Sequence, residues 1–107
     1  MAQNIFSKKE VKKLLASYKQ KLVSRHIPVD RMYLYGSYAQ GKPHQDSDID
    51  VCIISPSFND RIEATMMLMK IRNDQELFIS PIAFSPQSFV AEDPLAWEIH
   101  KKGIQIA

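Results

Sequence analysis

With 107 residues, 45% of them hydrophobic and no break in composition, the chain has the size of one domain, expected over residues 1–107, and can bury a modest core. A net charge of +2 lacks the dense basic arm of a dedicated nucleic-acid binder, so charge lends no support to nucleic acid as a partner. The one cysteine, Cys52, cannot form an internal disulfide and lies in an apolar run; no segment is long and apolar enough to span a membrane, and the charged, helix-patterned start is unlike a signal peptide, so a soluble, cytoplasmic protein is expected.

Ser7-Lys8-Lys9-Glu10 has capping-box spacing, and Val11, Leu14, Leu15, Tyr18 and Leu22 recur at helical intervals. This predicts an amphipathic helix from about residue 7 to about residue 25, its lysine-rich outer face read as solvated surface, with His26-Ile27-Pro28 ending it. Residues 31–36, RMYLYG, read as a strand, and IDVCIIS from Ile49 as a second. Apolar residues occupy both faces of the second at Val51, Cys52, Ile53 and Ile54, which predicts a central position. A helix is expected from about Asn59 to about Arg72, its methionines read as core although such residues also suit adaptable contact surfaces. ELFISPIAF, residues 76–84, reads as a third strand, and its proline argues for a sheet edge. Asp93-Pro94 starts a last helix, LAWEIHKK, with Trp97 expected as a core anchor, Gly103 as its stop and Ile104 to Ala107 as a short apolar tail.

The chemistry concentrates between the first two strands. The chain holds 3 glycines, and Gly36 and Gly41 share one loop that is followed by Asp46-Ser47-Asp48-Ile49-Asp50. An EF-hand loop beginning at Asp46 would need glycine and glutamate where Val51 and Ser57 stand. A phosphatase Asp-x-Asp follows its apolar strand, whereas here the strand follows the aspartates, and neither a Walker A loop nor Gly-x-Gly-x-x-Gly is present. A bland alternative is a turn at Asp46-Ser47 with Asp48 and Asp50 as solvent-facing residues. Residues two apart in a strand share a face, however, so Asp48 and Asp50 present carboxylates about 6 to 7 Å apart at their Cα atoms, a separation that suits a shared hard divalent cation. Gly36-Ser37, directly after a strand and opening the short helical or turn segment SYAQ, offers backbone N–H groups, a hydroxyl and close backbone approach to a phosphate. A phosphate cradle facing a metal-binding pair is the equipment of phosphoryl or nucleotidyl transfer.

The stretch GSYAQGKPHQDSDIDVCII resembles the signature of the minimal nucleotidyltransferases of the DNA-polymerase-beta-like superfamily: Gly-Ser, a second glycine, then Ser-Asp-x-Asp running into an apolar strand. The leading helix and the closing WEIHKKGIQI are similar to the start and finish of these domains, so the resemblance covers nearly the whole chain. It implies an α/β nucleotidyltransferase fold, a small mixed β-sheet flanked by helices. It further implies Gly36 and Ser37 at the nucleotide triphosphate, Asp48 and Asp50 as catalytic ligands of Mg²⁺, and Lys42 or Arg72 as candidate helpers at the phosphates. The implied reaction moves a nucleoside monophosphate, AMP from Mg-ATP, to an acceptor hydroxyl. The implied setting is the antitoxin role beside a HEPN-type helical partner, with a protein tyrosine or a nucleic-acid end as acceptor. The family pattern also has a third carboxylate on a later strand, within LFISPIAF here, where Ser80 stands instead and Glu76 shares its strand parity. That departure keeps open a nucleotide- or partner-binding module without turnover, and a separate reading is a subunit of a small-molecule nucleotidyltransferase whose substrate domain lies on another chain.

Overall fold

Ser7 starts the first helix as its side chain predicts. Its hydroxyl accepts from the Glu10 N–H at 3.1 Å and the Glu10 carboxylate accepts from the Ser7 N–H at 2.8 Å, so two amides left without helical partners are satisfied reciprocally. The computed structural model describes residues 5–107. Helix α1 spans Lys8–Ser24 and buries Val11, Leu15, Tyr18 and Leu22, and the chain leaves it through His26 at φ +64°. Strand β1 is Arg31–Tyr35 and β2 is Ile49–Ile54; helix α2 is Arg61–Lys70; a 3-10 turn covers Asp74–Glu76; β3 is Ile79–Phe84, helix α3 Pro94–Lys102 and β4 Ile104–Gln105.

The four strands form one mixed sheet in the order β3-β2-β1-β4, with β2 parallel to β3 and β1 antiparallel to both β2 and β4. The α/β class, the mixed sheet, the central place of β2 and the edge place of β3 all follow the expectations. Alternation along β2 divides the interior. Ile49, Val51 and Ile53 join the cluster beneath α1 and α2, while Cys52 and Ile54 join Phe84 and Tyr33 beneath Ala96 and Ile99 of α3. Tyr18 pins the first layer together by donating its hydroxyl to the Leu68 carbonyl of α2 at 2.6 Å. Lys21 extends this tie by donating to the Ile71 carbonyl at 3.1 Å and pairing with the Glu76 carboxylate, which is only 2% exposed.

The outer edge of β3 is closed by side chains of α2 and its exit. In this parallel pair the even-numbered residues of β3 bond to β2 and the odd-numbered ones point outward. Arg72 donates to the Ile79 carbonyl at 2.7 Å, Pro81 has no N–H, and the Ala83 N–H donates to the Thr65 hydroxyl at 3.0 Å. An edge so occupied offers little to an added strand.

Several expectations need correction. Trp97 is no core anchor: α3 turns Ala96 and Ile99 inward, which leaves Trp97 about a third of a turn away, 49% exposed, with the Lys101 ammonium 6.0 Å from its ring centroid. The methionine helix is only half core. Its inward face is Ala64 and Leu68, with Met67 and Ile71 packed against the cluster, whereas Ile62, Met66 and Met69 are exposed. The third strand begins at Ile79 instead of residue 76, because Asn73 to Glu76 wind into the 3-10 turn that holds the Lys21 pair. The apolar tail is a strand: Ile104 and Gln105 pair with Leu34 and Tyr33, and the Ile106 N–H reaches the Met32 carbonyl at 2.8 Å.

Asp93 caps α3, accepting from the Leu95 and Ala96 N–H groups at 2.9 and 3.0 Å, and its other oxygen accepts from Arg61 at 3.0 Å. The Ala96 amide foremost, and then the Arg61 guanidinium, hold its carboxyl below the usual carboxylate range. A depressed folded-state value stabilises the fold above the unfolded-chain pKa, near about 4, and that contribution disappears as pH falls through the folded-state value. Asp93→Ala is therefore expected to cost about 0.5–2 kcal/mol at neutral pH. In urea denaturation the gap from the parent should shrink steadily below about pH 4; a gap independent of pH would remove the ionised cap from this account.

Candidate functional site

β1 delivers the chain to Gly36, whose φ of +75° turns it sharply. The next residues coil once: the Ala39 and Gln40 N–H groups donate to the Gly36 carbonyl at 3.1 and 3.2 Å, and the Lys42 N–H donates to the Ser37 carbonyl at 3.0 Å. The internal bonds of this turn begin at Ala39, so the amides of Ser37 and Tyr38 stand at its open end. Tyr38 anchors the turn from below, its ring in the α1/α2 cluster and its hydroxyl accepting from the Phe6 N–H at 3.0 Å. Gly41, at φ +70°, closes it.

The two glycines answer to different constraints. An added Cβ at Gly41 meets nothing within 4 Å, so only the backbone conformation requires glycine there. A Cβ at Gly36 would collide with the Asp50 carboxylate, so the bare α-carbon makes room for that group.

Ser47 stitches the returning loop to the turn. Its hydroxyl accepts from the Ser37 hydroxyl at 3.0 Å and from the His44 N–H at 2.9 Å, and its own N–H donates to the His44 carbonyl at 2.9 Å. The residue is only 5% exposed, and the Ser in Ser-Asp-Ile-Asp thus holds the aspartates against the Gly36 turn. Asp46 is exposed and its N–H donates to His44 Nδ1, which makes it part of this turn. Asp48 is exposed just ahead of β2, and Asp50 is half-buried in its second position.

Strand register places Tyr35 of β1 and Ser80 of β3 on either side of Asp50. All three share the sheet face that carries Cys52 and Ile54 toward α3. Burial, and then the charge of Asp48, push the Asp50 carboxyl above the usual range. Burial foremost, then Asp50, raise the Tyr35 phenol to about 12. The Asp48 and Asp50 carboxylates, the latter packed against the bare α-carbon of Gly36, are a donor set that suits a hard divalent cation such as Mg²⁺. Among the described residues no third carboxylate, imidazole or thiol joins them as a ligand group.

The sequence-predicted residues Gly36, Ser37, Asp48 and Asp50 therefore come together. The proposed helpers divide. Lys42 is exposed at the end of the turn, whereas Arg72 is engaged by the carbonyls of Met69, Leu77 and Ile79 at the β3 edge. Glu76 does not share the parity of Ser80, because it lies in the 3-10 turn, and its carboxylate is held by Lys21 and the Asn73 N–H. Tyr35 was not singled out from sequence; its place directly before Gly36 was visible, but not the register that sets it beside Asp50.

A family model described as nucleotidyltransferase domain matches residues 9–104, which takes in every element that builds this site. The chain belongs to the nucleotidyltransferase domain family. Protein adenylyltransferase MntA of Shewanella oneidensis is 36% identical over 52 residues, which are 48% of this chain and 37% of that protein, so the match spans little more than a third of the relative. A crystal structure of a candidate nucleotidyltransferase from Sulfolobus solfataricus superimposes with a TM-score of 0.61 at 18% identity, over 89% of this chain and 78% of its own, a likeness of fold. The nucleotidyltransferase domain thus has its family's architecture, with serine at the β3 position beside Asp50.

The two glycines give a direct test of the site's packing. Gly36→Ala and Gly41→Ala each force an L-residue into the left-handed region, at a cost of about 1–2 kcal/mol. Only Gly36→Ala must also displace the Asp50 carboxylate, so it should be the more destabilising in parallel urea denaturations. Equal losses would show that the contact with Asp50 does not constrain residue 36.

Proposed function

We propose that this domain transfers a nucleoside monophosphate, AMP from Mg-ATP, to an acceptor hydroxyl, and that it serves as the antitoxin of a HEPN-type helical partner. The carrying observation is the convergence at the start of β2, where Gly36 abuts the Asp50 carboxylate and Ser37 is bonded to Ser47 next to Asp48. Family membership supports the reaction class. The adenylyl group draws on likeness to a protein named as a protein adenylyltransferase, and the HEPN partner on the resemblance of the sequence motif.

In this reading the amides at the open end of the Gly36–Gly41 turn receive the triphosphate, as helix starts receive anions. Asp48 and Asp50 hold Mg²⁺, which when bound neutralises phosphate charge and favours attack at phosphorus. The acceptor oxygen bonds to the α-phosphorus as the bond to the pyrophosphate oxygen breaks, and the acceptor's proton must pass to a base. A carboxylate at the β3 position beside Asp50 would take it; Ser80 stands there. Asp50 and Asp48 are left with both metal binding and any proton acceptance.

That same observation favours a second reading, a domain that binds nucleotide or its partner without transfer. Incubation with labelled ATP and Mg²⁺, with and without a helical protein encoded nearby, separates the two: label on an acceptor supports transfer, and partner binding that needs no ATP supports the module.

Replacing Asp48 and Asp50 together with asparagine removes the charge that compensates the cation and should abolish Mg²⁺-dependent ATP binding in calorimetry. Unchanged affinity would withdraw the metal assignment.

Ser80→Asp places a carboxylate beside Asp50 and is expected to raise transfer by about 10²- to 10⁴-fold if the missing base limits turnover. Glu76→Gln should weaken the fold by leaving Lys21 short of its partner, yet leave transfer per folded molecule unaltered. Loss of transfer in Glu76→Gln at full folding would instead make Glu76 the acid that serves in place of a carboxylate at residue 80.

A further inference from the structure

Helix α2 is apolar on two sides, and the fold covers one of them. Ala64 and Leu68 face the core, whereas Ile62, Met66 and Met69 stand in solvent at 75%, 52% and 44% exposure. Steps of four and three residues put these side chains in one line, the seam of a heptad pattern. Contiguous apolar side chains of this kind mark a contact surface, and methionine adapts well to one.

The polar residues beside the line identify what covers it. Glu63 and Lys70 are seven residues apart and so flank the line on the same side, one toward each end of the helix. Both are exposed, and neither takes part in an ion pair among the described residues. The other flank carries Thr65 and Arg72, which are turned onto the β3 edge. When two helices pack antiparallel along such seams, like flanks meet. A second α2 laid antiparallel, with Met66 and Met69 of both copies around the two-fold axis, brings Glu63 of each copy to Lys70 of the other. The helix dipoles also oppose in this arrangement. A parallel copy would face Glu63 with the flank of Thr65 and Arg72, whose donors are already used.

We propose that α2 pairs antiparallel with α2 of a second copy of this chain, forming a two-fold dimer with Ile62, Met66 and Met69 at its seam and reciprocal Glu63–Lys70 pairs at its flanks. A contact of this type is self-complementary and closes at two copies. With so few apolar side chains per copy the interface falls below the standard size of about 1,600 Å², so the dimer forms only at high protein concentration. α2 lies on the sheet face opposite the one shared by Asp50 and Cys52, and the inference is independent of the nucleotidyl-transfer reading.

Sedimentation velocity on the whole chain, diluted from millimolar to low micromolar, tests it. The parent is expected to shift from two chains to one on dilution, and Met66→Asp, which sets carboxylates in the seam, to remain single throughout. Glu63→Lys alone and Lys70→Glu alone each oppose like charges and should weaken association by about tenfold or more. An equimolar mixture of these two variants pairs opposite charges at both flanks and should recover the association of the parent. Should Met66→Asp fail to fold by circular dichroism, the mixture alone decides. A parent that stays single at all concentrations, or a mixture no better than its components, overturns the proposal, as does a stripe occupied by some other protein while the parent remains single.

Discussion

The two-residue alternation of β2 is the constraint on which the rest of the molecule depends. From Val51 to Ile54 the strand is buried on both faces, so a slip of one residue would exchange the residues packed under α1 and α2 with those packed under α3. The same register decides where Asp50 points. A slip would turn its carboxylate toward the α1/α2 cluster and away from Tyr35, Gly36 and Ser80. The candidate site therefore draws its rigidity from the core: the strand that cannot move is the one that follows Asp48 and carries Asp50.

Around that strand, polar ties set the neighbours. Tyr18 and Lys21 bind α1 to the end of α2 and to the 3-10 turn, and Arg72 and Thr65 bind α2 to the outer edge of β3. These ties account for Arg72, a candidate phosphate helper from the sequence, and for Glu76, whose parity would match that of Ser80 in an unbroken strand. The Arg72 guanidinium is engaged at the β3 edge and the Glu76 carboxylate with Lys21 and the Asn73 N–H, while Ser80 is paired in register with Asp50.

The loop between β1 and β2 shows how conformation and chemistry share residues. Gly41 answers to backbone geometry and Gly36 to the carboxylate that packs against it. Ser47, buried and bonded to both Ser37 and His44, joins the turn to the aspartates, so the phosphate-cradle and metal-pair readings concern one connected unit.

Much of this was legible in the chain. The capping box at Ser7, the both-face apolar run of β2, the proline of β3 and the Asp93-Pro94 start of α3 are local signals, and each is expressed in a few neighbouring residues whose backbone preferences act before any distant contact forms. The grouping of Gly36, Ser37, Asp48 and Asp50 was legible for the same reason, being one loop and one strand start. The faces presented by Met66, Met69 and Trp97 were not, because a helix with apolar residues on more than one side does not say which side the sheet will cover. Nor were the pairing of Ile104 and Gln105 with β1, the capture of Glu76 by Lys21 and the neighbourhood of Tyr35 and Asp50. Each of these joins residues far apart in the chain. Strand order and register are settled by which buried surfaces fit together, and that choice exists only once the sheet has assembled.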